Sequence, residues 1–554
     1  MKSHIPSEQL TDKEKRLLFW ASFLSLTAAG FGFSFRVAHG GTYGEAFGLT
    51  NLQIGMVFGA SLWPIAITMI GGSLVLDKVG FKVPMFVAFA LQAISSVGTA
   101  MAGGYTSLYL FAFCAGLGHG IVEAVINPVC AAVYPKDKTK MLTILHAAWP
   151  AGLVFGTLPI IATDAMVDGG LSWKLHSLWM IIPVVAYMLM YLPCKFPVDE
   201  RIKAGVSYMD MLKQVGFLSA FLAGGMMLYE IGNQVDALTG WTKPDNWFYV
   251  AMGLGVLVGI IMGGATKSLG KPLFFLMCCT MIPVATAELA TDGWIKKLMT
   301  PVLKEMEINP AFALVFSAFI MLILRVFAGS ILRFFSPPAL LCVSGLGSAI
   351  GLFWLSEAAG IAVFLAFVIY ALGQTYYWPC VLGFVSERYP EGGALTLNTV
   401  SACGLLSVGI IGAPLLGVAF DKSIYAQAEK DLPAVVAEAE KQAGFLWMKH
   451  NAIDPAKKDA FIGTLPTDEQ KSANEKFASI DSNAGRDVLV FAAWFPCTLI
   501  IVFGGIALYF KSQGGYKPIE LSEGTGGGGG GDPGEDSADE ESSEDEGADE
   551  EESV

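Results

Sequence analysis

The chain has 554 residues, of which 54% are hydrophobic and only 15% charged, with a mean hydropathy of +0.55; soluble domains carry about a quarter charged residues, so an ordinary soluble fold is excluded. The net charge of −14 belongs to one end: fifteen acids and no Lys or Arg lie between Pro518 and Val554, which leaves the rest nearly neutral and makes nucleic acid an unexpected partner. The nine cysteines lie in or beside apolar blocks with no CxxC pair, which argues against a disulfide framework and against any metal site, and no motif calls for a cofactor.

The first sixteen residues are polar and lack the pattern of a cleaved leader, so they read as a cytoplasmic N-terminus, 1–16. Apolar blocks of roughly 20 residues, the length that crosses a bilayer as a helix, follow at 17–38, 52–75, 83–102, 106–133, 141–163 and 174–193. They make a first six-helix bundle, 17–196. A polar linker, 197–213, precedes two extra apolar helices within 214–264. Five more spans, at 272–292, 311–333, 338–356, 358–386 and 395–420, begin a second bundle (265–421). A long hydrophilic stretch, 422–486, expected to be an extracytoplasmic loop, precedes the last span, 487–511. Residues 431–450 within that stretch have helical composition. The tail, 512–554, is too polar and too acidic beyond Gly524 to bury a core and reads as disordered. The fold class is therefore an all-α polytopic membrane protein of about 14 transmembrane helices: two six-helix bundles with two additional inserted helices.

Basic loops orient such a chain. Lys78 and Lys82, then Lys136, Lys138 and Lys140, then Lys195, Arg201 and Lys203, then Lys267 and Lys271 all fall on one side, which reads as the cytoplasm, with both termini there. The 293–310 loop dissents, since it carries Lys296, Lys297 and Lys304 on the other side. A cell (cytoplasmic or plasma) membrane is the expected location.

Two turns look related. Ser73 stands four residues before Asp77, followed by Lys78, Gly80 and Lys82; Gly329 stands four before Arg333. A small residue lets helices approach, and the charge anchors the turn. The 73–82 run resembles the loop 2–3 motif of the major facilitator superfamily, with Ser73 and Phe81 departing from it; Asp77, Lys78, Gly80 and Arg333 are the gating residues that the resemblance implies. The run Gly116-Leu-Gly118-His-Gly120-Ile-Val-Glu123-Ala-Val-Ile-Asn127-Pro128 is similar to the fourth helix of the fucose–galactose–glucose:proton symporter branch. The runs Leu49–Gly55, Arg325–Phe334 and Tyr377-Trp378-Pro379 agree with that branch. The resemblance implies twelve core spans in two halves, a site between them, alternating access, and a sugar moved with protons. It does not cover 214–264, 422–486 or the tail. In the first span a cation, Arg36, stands near where that branch carries an acid.

Ionisable groups inside a span cost several kcal/mol unless they face a cavity or a partner, so they are the sharpest signal in the chain. Glu123 shares a helix face with His119 and Asn127 through the i, i+4, i+8 spacing. It is the first candidate for proton coupling, against a reading as a locked structural pair. Glu288 is the second, with Asp292 one turn closer to the interface. Arg36, with His39 beside it, has three readings: a partner for Glu123, a holder of substrate carboxylate or hydroxyls, or a residue snorkelling to the interface. His146 and Trp149 are candidate substrate contacts, with Pro150 expected to open the helix beside them. Gln374, Tyr376, Tyr377 and Asn398, with Asn127 and Asp292, complete the candidate substrate set, since amides and phenols suit hydroxyl-rich ligands without a charge cost. Glu230, Asn233 and Gln234 are expected to line the contact of the first extra helix with the core.

The expected function is secondary active transport of a small polar solute, by the resemblance a sugar or sugar derivative, with a coupling H+ and Na+ left open. Membrane lipid is the other expected partner, and a monomer is expected. The alternative is a transporter-like sensor or scaffold with partners on the 422–486 stretch and the acidic tail. An enzyme is not expected: the sequence shows no Ser/His/Asp set, no HExxH and no phosphate-cradling loop.

Overall fold

A computed structural model describes residues 4–49, 51–166, 172–309 and 311–521. The apolar blocks become helices because a backbone in hydrocarbon must satisfy its own hydrogen bonds. Fourteen membrane helices follow one another: α1 (Asp12–His39, helical on to Phe47), α2 (Gln53–Val79), α3 (Lys82–Ala100), α4 (Tyr105–Val133), α5 (Lys138–Thr163), α6 (Trp173–Tyr191), α7 (Tyr208–Thr239), α8 (Trp247–Thr266), α9 (Pro272–Ile295), α10 (Phe312–Val326), α11 (Pro337–Glu357), α12 (Ala362–Arg388), α13 (Pro390–Asp431) and α14 (Thr467–Ser512). Thirteen have at least 18 residues, and α10 is shorter because the chain leaves helical geometry at Phe327 before a further turn, Ala328–Leu332. The chain is thus a multi-pass membrane protein, with α1–α6 and α9–α14 as its two bundles.

Most interruptions within these helices sit just ahead of a proline, which lacks the N–H that its fourth predecessor's carbonyl needs. The turn at Ala60–Leu62 precedes Pro64, the step at His146–Ala147 precedes Pro150, and the step at Thr375–Tyr376 precedes Pro379. Two wide five-residue turns, Thr286–Ala290 in α9 and Val408–Gly412 in α13, pack against each other; such bulges within helices gather at functional sites.

Both described chain ends lie on one face, hereafter the termini face. His4–Ile5 (β1) pairs in parallel with Phe196–Pro197 (β2), and the segment after α14 returns to the end of α12, where Ile519 N–H donates to the Glu387 carbonyl at 2.8 Å. The inserted α7 and α8 form a hairpin that packs chiefly on α13 and α9. At its opposite end α7 reaches the first bundle: the Tyr109 hydroxyl donates to Gln234 Oε1 at 2.7 Å, and Gln234 Nε2 donates to Glu230 Oε1 at 2.6 Å.

On the far face α13 and α14 run past the apolar zone and carry a small domain between them. Its core is Ala428, Val435, Val436, Ile462, Ala473, Phe477 and Ile480. The helical expectation for 431–450 holds only to Ala439. Glu440–Phe445 (β3) and Met448–Ile453 (β4) form an antiparallel hairpin in register Phe445↔Met448. Along β4 the alternation buries His450 and Ala452, so packing on α13 outweighs local helix propensity. The hairpin tip touches the inserted pair, with Trp447 and Phe248 ring centroids 4.9 Å apart. The acidic tail beyond Leu521, including the expectation of disorder, lies outside the described residues.

Candidate functional site

Between the bundles lies a cavity of about 910 Å³. Its polar walls are His119, Glu123 and His146 from the first bundle, and Glu288, Asp292 and Arg325 from the second, with Trp149 and Trp378 among the apolar lining.

The first wall is set by the glycines of α4. A Cβ at Gly120 would stand 2.1 Å from Thr68 Oγ1 and 2.4 Å from the Ile65 carbonyl, so only glycine lets α4 lie this close to α2. One turn on, Glu123 is 7% exposed. Asn127 Nδ2 donates to its Oε2 at 2.8 Å, and His146 Nε2 lies 3.0 Å from Asn127 Oδ1. His119 Nε2 stands 3.7 Å from Glu123 Oε1, and the His119 ring stacks on Trp149 with centroids 5.4 Å apart. Among the described residues no Lys or Arg pairs with Glu123.

The second wall is built on proline. Pro379 leaves the Thr375 carbonyl without a helical donor, and Arg325 Nε takes it at 2.7 Å. Pro150 does the same to the His146 carbonyl across the cavity, and Arg325 Nη1 takes that at 3.0 Å. Arg325 Nη2 then pairs with Glu288 Oε1 at 2.7 Å. Trp378, at the start of the helical segment after the step, donates its free backbone N–H to Glu288 Oε2 at 3.3 Å. A buried ion pair is tolerable when further hydrogen bonds complete both partners, and here they do. Asp292 faces the cavity one turn away, with Gln374 Nε2 at 3.2 Å and the Tyr370 hydroxyl at 3.5 Å.

Of the residues singled out in the sequence, Glu123, His146, Trp149, Glu288 and Asp292 line this cavity, while Asn127 and Gln374 hold residues that do. Others lie elsewhere. Arg36 does not meet Glu123; it lines a neighbouring pocket inside the first bundle. His39 is bonded to His176, Nε2 to Nδ1 at 3.0 Å, within that bundle. The Tyr376 hydroxyl donates to the Leu324 carbonyl at 3.1 Å, and that of Tyr377 to the Ser344 carbonyl at 3.4 Å; both phenols are spent on backbone. Asn398 sits nearer the termini face, where its Nδ2 donates to Ser73 Oγ at 2.7 Å and to the Ala124 carbonyl at 3.2 Å, the latter freed by Pro128. Arg325 and Trp378 were missed as site residues, although both stand in runs that carry the family resemblance.

The turn motif also sorts itself. Gly80 has φ +77°, which lets the chain reverse into α3. Asp77 pairs with Arg201 of the linker. Lys78 is exposed, and Arg333 is exposed too, its Nε donating to the Ser330 carbonyl at 3.1 Å. The stronger links between halves on this face are others: Lys138 Nζ to the Ser386 carbonyl at 3.3 Å, Thr139 Oγ1 to Glu387 Oε1 at 2.5 Å, and the Asn398 contacts. Lys138 also pairs with Glu200 of the linker at 2.6 Å. The cavity is therefore closed toward the termini face.

Two helical halves around one polar cavity, closed at one face, define a membrane transporter. The family model of the Major Facilitator Superfamily matches residues 18–414, and the chain belongs to that superfamily. A hexuronate transporter of Bacillus subtilis (strain 168) is 27% identical over 157 residues, 28% of this chain and 36% of that protein. A 3-(3-hydroxy-phenyl)propionate transporter of Escherichia coli (strain K12) is 25% identical over 183 residues, 33% of this chain and 42% of that protein. The matched stretches thus span well under half of these relatives. Among solved structures, the proton:xylose symporter XylE, bound to 6-bromo-6-deoxy-D-glucose, shares the fold with a TM-score of 0.53 at 14% identity, covering 89% of this chain and 97% of XylE.

Proposed function

We propose that this transporter moves a small polar solute, a sugar or sugar acid, by alternating access coupled to protons, with the termini face in the cytoplasm of a cell membrane. The observation that carries this reading is the unequal treatment of two buried carboxyls on facing walls. Glu288 has its cation, Arg325, and protonating it would leave that guanidinium buried without an anion. Glu123 has the Asn127 amide and the His119 imidazole, with His146 behind the amide, but among the described residues no Lys or Arg, so it is the group free to gain and lose a proton as the cavity changes sides. Proton coupling is assigned to Glu123 ahead of Glu288. Trp149 and His146 offer an aromatic surface and a polar edge to a ring, and Asp292, which Gln374 orients, offers hydroxyl acceptors opposite. XylE, named for a proton:xylose symport, supports a sugar. The two relatives named for hexuronate and hydroxyphenylpropionate support an acid.

The test is uptake by proteoliposomes holding the purified protein under an imposed pH gradient, with galactose and galacturonate as probes. Uphill accumulation is expected in the wild type. Glu123→Gln is expected to abolish accumulation and retain solute exchange. Accumulation that survives the substitution, or that is indifferent to collapse of the proton gradient, overturns the coupling assignment.

A further inference from the structure

We propose that the pocket around Arg36, inside the first bundle, is an anion subsite that receives the carboxylate of the transported solute. Among the described residues two buried arginines lie within the membrane helices, and they are treated oppositely. Arg325 is met by Glu288 at 2.7 Å. Arg36 is 5% exposed and, among the described residues, pairs with no carboxylate. Its Nη1 donates to the Gly32 carbonyl at 2.8 Å and its Nη2 to Ser95 Oγ at 3.0 Å. Those bonds fix the plane of the guanidinium and leave donors over. A cation held in a low-dielectric interior with no anion is costly, and a planar fork is matched by a carboxylate.

A second, independent observation points the same way. Gln92, 7% exposed, lines the same pocket. Its Oε1 accepts from the Tyr187 hydroxyl at 3.1 Å, which orients the amide, and its Nε2 is buried with no acceptor. His119 borders the same pocket, with its Nε2 turned to Glu123 Oε1 at 3.7 Å. The Arg36 guanidinium and the Gln92 amide therefore line one small pocket. An anion satisfies both groups together.

The pocket adjoins the central cavity, with Phe33, Leu62 and His119 lining both. That shared wall gives the subsite a link to coupling, because the His119 imidazole that borders the pocket is the one 3.7 Å from Glu123. A sugar acid with its carboxylate at Arg36 would extend its ring toward the central cavity. The assignment of the anion as solute rests on the transport reading; the subsite itself does not.

The test uses the full-length protein in detergent, with calorimetric binding and thermal shift at fixed ionic strength. The probes are acetate, glucuronate and 3-phenylpropionate, with glucose as the neutral control and chloride as the inorganic one. Glucuronate is expected to bind at least tenfold more tightly than glucose. Arg36→Gln is expected to remove that advantage while leaving glucose binding unchanged. Should Arg36→Gln fail to fold, Gln92→Leu, which keeps the guanidinium and both of its bonds, is expected to weaken glucuronate several-fold and glucose not at all. Equal binding of glucuronate and glucose, an advantage that survives both substitutions, or no binding of any of the three carboxylates overturns the proposal. Chloride binding that the carboxylates do not displace assigns an inorganic ion and overturns it as well. Arg36-dependent glucuronate binding without gradient-driven uptake would remove the coupling reading and leave the subsite standing.

Discussion

Arg325 and His146 belong to different bundles and meet at a carbonyl that Pro150 has deprived of its helical donor, with Nη1 3.0 Å from the oxygen. The same guanidinium takes the Thr375 carbonyl left open by Pro379 and pairs with Glu288. One side chain thus closes two proline-made gaps and a buried charge. Unmaking such a group by removing one partner leaves the others uncompensated, at a cost of roughly 3–5 kcal/mol.

Arg325→Gln is accordingly expected to lower the thermal midpoint of the purified protein by several degrees. Glu288→Gln alone should also destabilise, because it strands the guanidinium. The double variant is expected to lose less than the sum of the two, since each single change already breaks the shared pair. Melting curves of the four proteins complete the cycle, and strictly additive losses would show that the pair carries no coupling.

The order of the helices was legible because hydropathy blocks report span length directly, and the family motifs fixed which twelve form the core. Glu123 and Glu288 stood out because a carboxyl within an apolar run is rare. What the sequence hid was partnership. Arg325 is one of several basic residues near a helix end, and nothing local says that its fork is aimed inward at two carbonyls. Pro150 was read as opening α5, but not as presenting the His146 carbonyl to another bundle. Asn398 and Tyr377 looked like ligand contacts because amide and phenol groups suit hydroxyls; their partners are a serine and backbone carbonyls tens to hundreds of residues away. The hairpin at 440–453 was hidden because packing on α13, not local propensity, decides its conformation.

Asn398 joins the halves near the termini face through Ser73 and the Ala124 carbonyl that Pro128 frees. Asn398→Leu keeps the bulk and removes both bonds, leaving a buried carbonyl unsatisfied at a cost of about 1–3 kcal/mol. Closure of this face should weaken. Backbone hydrogen exchange is expected to rise in peptides covering 69–79 and 392–402, and to stay unchanged in the far-face domain at 432–466. A uniform rise across both would indicate global destabilisation instead.

Asp199, in the linker outside the membrane helices, is buried against the start of α13, and that burial pushes its carboxyl up to about 6 despite Arg201 beside it. The Arg201 N–H donates to its Oδ1 at 2.9 Å, while Asp77 and Glu200 add like charge. Below about pH 4 the group is protonated whether buried or exposed. Between about pH 4 and pH 6 the exposed form ionises first, so the closed arrangement loses stability as pH rises, and above about 6 the loss of about 3 kcal/mol is complete. Asp199→Asn is expected to be flat across that window. The difference between the thermal midpoints of wild type and variant, measured from pH 4 to pH 7, isolates this group. A constant difference would show that Asp199 does not titrate there.

Glu387, at the end of α12, is shared between the other bundle and the chain's own C-terminal segment. Its Oε1 accepts from Thr139 of α5, and its Oε2 accepts from the Tyr516 hydroxyl at 2.7 Å. The segment is fixed further by Ile519 N–H on the Glu387 carbonyl at 2.8 Å, and by Arg388 Nη1 on the Lys517 carbonyl at 3.1 Å. The Tyr516 ring packs on Phe384 and Phe510. This strap holds in place the carboxylate that Thr139 needs for closure. Truncation after Gln513 is expected to raise hydrogen exchange in peptides covering 136–143 and 383–390, and Tyr516→Phe to do so to a smaller degree, since it removes one charge-assisted bond and keeps the ring packing. Truncation after Leu521 removes the acidic tail and keeps the strap, so exchange in both peptides should match the full chain. If the two truncations behave alike, the anchoring of Glu387 by Tyr516 has no part in closing this face.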